Sequence, residues 1–117
     1  MTFKVAICGS RYFGATVLEA LRQETGVQIS CVVAPAEDDR LALAARAAGI
    51  PVHVQANPKV IAGEAIAEGS ALIVAAHTHA RVSDEALARA RLGGVGYHPS
   101  LLPRHRGIAA VEWTILA

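Results

Sequence analysis

The chain has 117 residues, of which 53% are hydrophobic and 18% charged, with a formal net charge of +1 at pH 7. This composition excludes a disordered protein, which combines low hydrophobicity with high net charge, and a coiled coil, which needs more charged residues. No apolar run reaches the roughly 18–20 residues that a membrane-spanning helix needs, and the balanced charge argues against a nucleic-acid groove. We expect a cytoplasmic protein whose single domain covers residues 1–117.

Short apolar strands alternate with helical segments along the chain. The predicted strands are Phe3–Cys8, Val27–Ala34, Pro51–Val54, Leu72–Ala76 and Gly94–Tyr97. Helices are predicted over Phe13–Leu21, from the acidic run 37–39 to Gly49, around Ile61–Ala67, from the Ser83 cap to Arg91, and from Ile108 onward. Strands that alternate with helices indicate βαβ units, so we predict an α/β fold with one doubly wound, mainly parallel sheet.

Ligands of doubly wound sheets bind beyond the carboxyl ends of the strands, where the strand order reverses. The loops after Cys8, Ala76 and Tyr97 are therefore the candidates for function. The first loop lacks the spacing of a nucleotide-binding glycine motif, so a tight turn explains its glycines, although the helix N-terminus behind it suits an anion. Cys8 and Cys31 lie within predicted strands, where we expect buried thiols.

The second loop contains an H-x-H pair, His77 and His79. On an extended backbone both imidazoles point to the same side, and His98 is an available third zinc ligand. Loop histidines more often form hydrogen bonds or face solvent, and no carboxylate or thiolate stands nearby in sequence. A zinc hydrolase using His77, His79 and His98 is therefore the lowest-ranked function that we consider, and we expect no metal site.

The third loop presents a single histidine on a stiff connector. His98 follows a predicted strand and precedes Pro99, which favours an extended backbone. A rigid loop that holds one imidazole over a crevice suits a general acid or base. From position alone, a buried histidine bonded to the backbone explains the pattern equally well.

The segment Tyr97–Gly107, with the sequence YHPSLLPRHRG, resembles the signature loop of the folate-dependent formyltransferases. This family includes methionyl-tRNA formyltransferase, phosphoribosylglycinamide formyltransferase and the hydrolase domain of 10-formyltetrahydrofolate dehydrogenase, and the loop is most similar to the last. Val5–Leu21 is also similar to the first strand, glycine turn and helix of the methionyl-tRNA enzymes, and Gly49–Val52 to the family's third strand. The resemblance favours a functional role for His98.

The resemblance implies a Rossmann-like, formyltransferase-type fold that binds 10-formyltetrahydrofolate as formyl donor and transfers or hydrolyses its formyl group. His98 then corresponds to the catalytic histidine, the proton donor to the tetrahedral intermediate. Backbone groups of three residues correspond to the pterin-binding loop: Ala80, Arg81 and Val82. Five further residues would line the folate side of the site: Gly96, Ser100, Leu101, Leu102 and Pro103.

Two departures from the family pattern bear on catalysis. Gly96 stands where the transferases carry an asparagine that holds the formyl oxygen. The hydrolase domain also lacks this asparagine, so hydrolysis is favoured over transfer to an amine. The family's essential aspartate lies a few tens of residues beyond the histidine, outside these 117 residues. We therefore expect an incomplete domain with little activity alone, and the alternative is a non-catalytic folate-binding fragment.

The resemblance also implies partners for the chain. The formyl acceptor would be a small molecule or an aminoacyl group, with tRNA the one nucleic acid to consider. Trp113–Ala117 is an apolar run that we predict to be helical and that lacks a C-terminal cap. We expect a C-terminally truncated fold in which this exposed helix favours a homo-oligomer.

Overall fold

The computed structural model describes residues 2–97 and the backbone of residues 113–115. Its elements in chain order are β1 (Phe3–Gly9), α1 (Arg11–Arg22), β2 (Val27–Ala34), α2 (Arg40–Ala47), β3 (Val52–Val54), β4 (Val60–Ile61), a 3-10 turn (Gly63–Ala65), β5 (Leu72–Ala76), β6 (Arg81–Val82), α3 (Asp84–Ala88), β7 (Gly94–Tyr97) and β8 (Trp113–Ile115). Within these ranges, no helix has the length and apolar character required to cross a bilayer.

The six strands of the main sheet follow the order β3-β2-β1-β5-β7-β8, and β4 and β6 form a separate parallel pair. In the main sheet β8 is antiparallel to β7, and the other pairings are parallel. The chain moves outward from β1 to β2 and β3, then returns to place β5 on the other side of β1. The order therefore reverses between β1 and β5, which confirms the predicted doubly wound, mainly parallel sheet.

Apolar side chains cover both faces of the central strands. On one face, Ile7 and Val32 pack with Leu18 of α1 and Leu41 of α2. On the other face, Cys8, Cys31, Val33 and Ile73 pack with Ile61, Ile66 and Ala86. Burial on both faces explains why β5 contains no polar residue. Both cysteines are buried free thiols, as their positions in strands predict.

Side-chain caps define where two helices begin. Asp39 accepts a hydrogen bond from the N–H of Leu41 at 2.9 Å, so α2 begins at Arg40, after the predicted acidic run. Ser83 accepts from the N–H of Ala86 at 3.1 Å and caps α3 as predicted. The helix after this cap ends at Ala88, short of the predicted Arg91.

Residues 60–67 do not form the predicted helix. Val60–Ile61 is a strand, because it pairs with Arg81–Val82, and Gly63–Ala65 forms a single 3-10 turn. Pairing with a segment distant in sequence decides the conformation here, which local periodicity does not record.

The C-terminal helix prediction is wrong for Trp113–Ile115. These residues form β8, in which Trp113 pairs with Tyr97 and Ile115 with Val95. Aromatic and β-branched residues favour strands, and pairing with β7 satisfies backbone groups that would otherwise form an open edge. The homo-oligomer expected through this segment stays a prediction, since its side chains lie outside the described part of the chain.

Candidate active site at the switch point of the sheet

The loops after β1 and β5 are tied together where the strand order reverses. Gly9 and Ala76, the last residues of these strands, are register partners. The next residue, Ser10, donates its N–H to the carbonyl of Ala76 at 3.2 Å and its Oγ–H to the carbonyl of His77 at 2.6 Å. Ser10 is only 6% exposed, so both bonds are shielded from competing water. They hold the two candidate loops in one fixed arrangement.

Gly9 is required for this close approach. A Cβ atom at Gly9 would lie 2.1 Å from the carbonyl oxygen of Ala76, which is far inside van der Waals contact. At Gly14, a Cβ would lie 3.2 Å from Cδ2 of Leu41. The glycines of the first loop therefore allow close packing, as the tight-turn interpretation predicts.

Two non-glycine residues in the described part of the chain have positive φ, and both lie at this crevice. They are Arg11, with φ of 61°, and His77, with φ of 62°. A left-handed backbone costs such residues about 1–2 kcal/mol, and conformations of this kind concentrate at functional sites. The extended backbone expected for the H-x-H pair is therefore wrong at His77. The rings of His77 and His79 meet edge to face, with centroids 5.4 Å apart.

The anion position at the start of α1 is filled by a carboxylate of the chain itself. Both side-chain oxygens of Asp39 accept from the N–H of Arg11 at 3.1 Å, while one also caps α2 through Leu41. A carboxylate is stabilised by the positive end of a helix dipole. Asp39 thus joins the two helices. Its carboxylate accepts from the Arg11 N–H, the group that the sequence suggested for an external anion.

One ring nitrogen of His77 is buried. Its Nε2 is shielded from solvent and has no hydrogen-bond partner within the described ranges. Burial, His79 and Arg11 lower the pKa of His77 below its ordinary value, while Asp39 acts in the opposite direction. The imidazole is therefore neutral at pH 7. The H-x-H pattern predicts a hydrogen-bonding or solvent-facing histidine, with a zinc ligand as the alternative, and it records neither the backbone conformation of His77 nor the burial of its Nε2.

The predicted pterin loop is partly engaged with the rest of the chain. The N–H of Ala80 donates to Oγ1 of Thr78 at 3.1 Å, and that of Arg81 to the carbonyl of Lys59 at 2.9 Å. Successive N–H groups of a strand point to opposite sides, so that of Val82 points away from β4. Among the three predicted backbone donors, Val82 is the one whose N–H points away from the β4–β6 pair.

The third loop begins at the same edge of the sheet. Gly96 is buried in β7 beside Ala75, and Tyr97 pairs with Ala76. The predicted site residues that follow Tyr97 lie outside the described residues: His98, Ser100, Leu101, Leu102 and Pro103. Their roles therefore stay predictions.

In the part of the chain that the structure describes, no three His, Cys, Asp or Glu side chains assemble in a way that could hold a metal ion. The zinc hypothesis needs His98, which lies outside the described residues, so it too stays a prediction.

A cavity of about 500 Å³ lies away from this crevice. Its lining includes Lys4, Val27 and Pro51, which stand at or next to the first residues of β1, β2 and β3. It therefore opens at the amino ends of the strands, opposite the Ser10–His77 contact.

Comparison with known proteins gives one consistent family. The profile of the formyl transferase family matches residues 1–117. Cytosolic 10-formyltetrahydrofolate dehydrogenase from Homo sapiens is 36% identical over 124 residues, covering 97% of this chain and 14% of that protein. Methionyl-tRNA formyltransferase from Trichodesmium erythraeum (strain IMS101) is 27% identical, covering 96% of this chain and 37% of that enzyme. The chain thus spans a minor part of both relatives.

Solved structures share the fold. Phosphoribosylglycinamide formyltransferase from Campylobacter jejuni superposes with a TM-score of 0.66 at 19% identity, covering 98% of this chain and 75% of that one. The enzyme of the same name from Anaplasma phagocytophilum gives a TM-score of 0.60 at 22% identity, covering 94% and 56%. At these identities the likeness establishes the doubly wound architecture alone.

Proposed function

Because the chain belongs to the formyl transferase family, we propose that it binds 10-formyltetrahydrofolate at the β1–β5 crevice and transfers or hydrolyses the formyl group. The observation that carries this proposal is the Ser10–His77 hydrogen bond, which fixes two loops at the switch point. Doubly wound sheets bind their ligands at this position. The strained backbones of Arg11 and His77 support the same location.

The proposal assigns the proton-donating role to His98. His98 follows Tyr97, whose partner in β5 is Ala76, so the third loop starts beside the Ser10–His77 contact. A positively charged imidazole placed where negative charge develops stabilises the transition state. We assign the folate side of the site to Ser100, Leu101, Leu102 and Pro103.

Backbone groups would recognise the pterin ring. Val82 directs its N–H away from β4 and is the donor best placed to meet a ligand. Ala80 offers its carbonyl oxygen, whereas the backbone of Arg81 is paired with β4. Carbonyl acceptors suit the amino and ring N–H donors of a pterin.

Hydrolysis is the favoured reaction, with water as the formyl acceptor. Gly96 offers no side-chain donor to the formyl oxygen, and losing one such donor typically costs about 10²–10³ in rate. The relative that is 36% identical is a 10-formyltetrahydrofolate dehydrogenase, which supports water rather than an amine. Transfer to a small-molecule or aminoacyl amine is the second outcome that the experiment distinguishes.

The test measures how much formate and tetrahydrofolate the protein, produced as its gene encodes it, releases from 10-formyltetrahydrofolate. The measurement is made with and without candidate amines. His98→Ala should abolish release, whereas His53→Ala should leave it unchanged, because His53 lies in β3 at the far side of the sheet. Folate binding without release in the wild type would instead indicate a non-catalytic folate-binding protein. A protein that neither binds nor turns over the folate would refute the proposal.

A further inference from the structure

A second cavity at the amino ends of the strands is lined by cations. Its volume is about 460 Å³, and Lys4, Arg89 and Arg91 line it together with Thr2. Within the described residues, no acidic side chain belongs to its lining. The cavity is distinct from the larger one at the same end of the sheet, with which it shares Lys4. Three positive charges around one space repel each other, so this arrangement favours an anion between them.

Backbone hydrogen bonds of the sheet bring these cations together. The N–H of Ala71 donates to the carbonyl of Lys4 at 2.7 Å, and the N–H of Leu92 donates to the carbonyl of Ala71 at 2.8 Å. Ala71 precedes β5, which lies between β1 and β7 in the main sheet. Lys4 in β1 and Arg91, next to Leu92, therefore stand on opposite sides of Ala71, at a spacing that the fold sets.

Two of the cations are accessible and have no partner of opposite charge. Lys4 and Arg91 are both exposed, and neither forms an ion pair within residues 2–97. The ammonium of Lys4 lies over a glycine turn, since a Cβ atom built at Gly69 would be 3.9 Å from Nζ. Both charged groups can therefore meet an anion that enters from solvent.

Arg89 supplies a third cation in a fixed position. Its Nε donates to the carbonyl of Ile66 at 2.9 Å, which leaves the terminal nitrogens of the guanidinium to bind other groups. One of them lies 3.8 Å from the carboxylate of Glu68, whose side chain is 90% exposed. An exposed ion pair of this length is weak, so the cluster keeps a net positive charge.

We propose that this cavity binds a small oligophosphate, such as pyrophosphate or tripolyphosphate. The guanidinium fork matches phosphate oxygens, and lysine adds a point charge. The hydroxyl of Thr2 offers one more hydrogen-bond donor. A volume of about 460 Å³ is within the usual range for small-molecule sites. A nucleic acid would need an extended basic surface, whereas the chain has a formal net charge of only +1.

Calorimetric titration of the whole chain with tripolyphosphate tests the proposal. We expect saturable binding that weakens as the salt concentration rises. Lys4→Gln and Arg91→Gln should each weaken the affinity about three- to fivefold, and the double variant about tenfold or more. Lys59→Gln is the matched control, because it removes an exposed lysine that does not line this cavity, and it should keep the wild-type affinity. Thermal unfolding should be unchanged in all these variants, since the substituted side chains are exposed.

Two further titrations define the ligand. Citrate carries its charge on carboxylates and should bind at least about tenfold more weakly than tripolyphosphate, if phosphate geometry is recognised. Equal or tighter binding of ATP would assign the phosphate chain to a nucleotide, and weaker binding of ATP would assign it to an inorganic oligophosphate. Backbone amide shifts in NMR spectra should locate either ligand at residues 2–4, 69–71 and 88–91.

Three results would overturn the inference. They are the absence of saturable binding to the wild type, an equal loss of affinity in Lys59→Gln, and citrate binding as tight as that of tripolyphosphate. The site lies at the opposite end of the strands from the β1–β5 crevice, so its failure would leave the proposed formyl site untouched. Failure of the folate experiments would likewise leave this inference standing.

Discussion

The hydroxyl of Ser10 donates a 2.6 Å hydrogen bond to the carbonyl oxygen of His77, across the point where the sheet reverses its strand order. This contact joins the first residue after β1 to the first residue after β5. It couples the buried turn that begins α1 to the loop that carries His77, His79 and the predicted pterin contacts. Substitutions on either side of this contact should therefore weaken ligand binding by more than the loss of folding stability alone accounts for.

Replacing Ser10 by alanine tests this coupling. The variant should lose about 1 kcal/mol of unfolding free energy, because one buried hydrogen bond disappears. Ser83→Ala is the matched control, since Ser83 is equally buried and its side chain caps α3. Both variants should lose similar stability in urea unfolding, but only Ser10→Ala should weaken binding of a 10-formylfolate analogue. Equal affinities would show that the contact has no role in the site.

Gly9→Ala should be the most damaging single-methyl change at the crevice. The new Cβ would lie 2.1 Å from the carbonyl oxygen of Ala76, so strands β1 and β5 must separate locally. We expect a loss of about 3 kcal/mol. Gly49→Ala, where no atom lies within 4 Å but φ is +75°, should cost only the backbone penalty of about 1 kcal/mol. Chemical denaturation of both variants measures the difference, and a smaller loss for Gly9→Ala would be inconsistent with the tight packing.

Stability should decrease at acid pH partly through His77. Burial and nearby His79 and Arg11 lower the pKa of His77 from its ordinary value of 6.5. As pH falls below about 6.5, the unfolded chain gains a proton that the folded chain resists, so folding stability decreases until the folded pKa is passed. His77→Asn should show a shallower decrease between neutral and acid pH in urea unfolding. Identical slopes for both proteins would contradict a lowered pKa.

Asp39→Asn should weaken the junction between α1 and α2. The charged carboxylate caps α2 and accepts from the first N–H of α1. Its neutralisation should cost about 1 kcal/mol. Asp38→Asn, a change at an exposed neighbour, should stay within about 0.5 kcal/mol of wild type. Because Asp39 raises the pKa of His77, its loss should lower that pKa further, as measured by NMR titration of the imidazole.

The sequence predicts the main sheet well because its strands carry strong local signals. The apolar runs before Gly9, Pro35 and His77 coincide with β1, β2 and β5, and the caps Asp39 and Ser83 open helices. The errors fall where partners distant in sequence decide the conformation. Val60–Ile61 becomes a strand through β6, and Trp113–Ile115 through β7.

The candidate site divides in the same way. The sequence pattern identifies the three loops, since they follow from the strand ends and the sheet topology. It does not reveal that Asp39 caps α1 from the next βα unit, or that Ser10 holds His77 in a strained conformation. The Arg11–Asp39 contact joins residues 28 positions apart in sequence, and the Ser10–His77 contact joins residues 67 positions apart. No local motif records contacts over such separations.

One measurement tests the location of the folate site most directly. The isotope-labelled protein is titrated with a stable 10-formylfolate analogue, and backbone amide shifts are followed by NMR. The account predicts saturable shifts at residues 10–11, 77–82 and 96–97, with none at Lys4, Val27 or the other residues lining the cavity at the amino ends of the strands. Absence of binding, or shifts confined to that cavity, would contradict a folate site at the switch point.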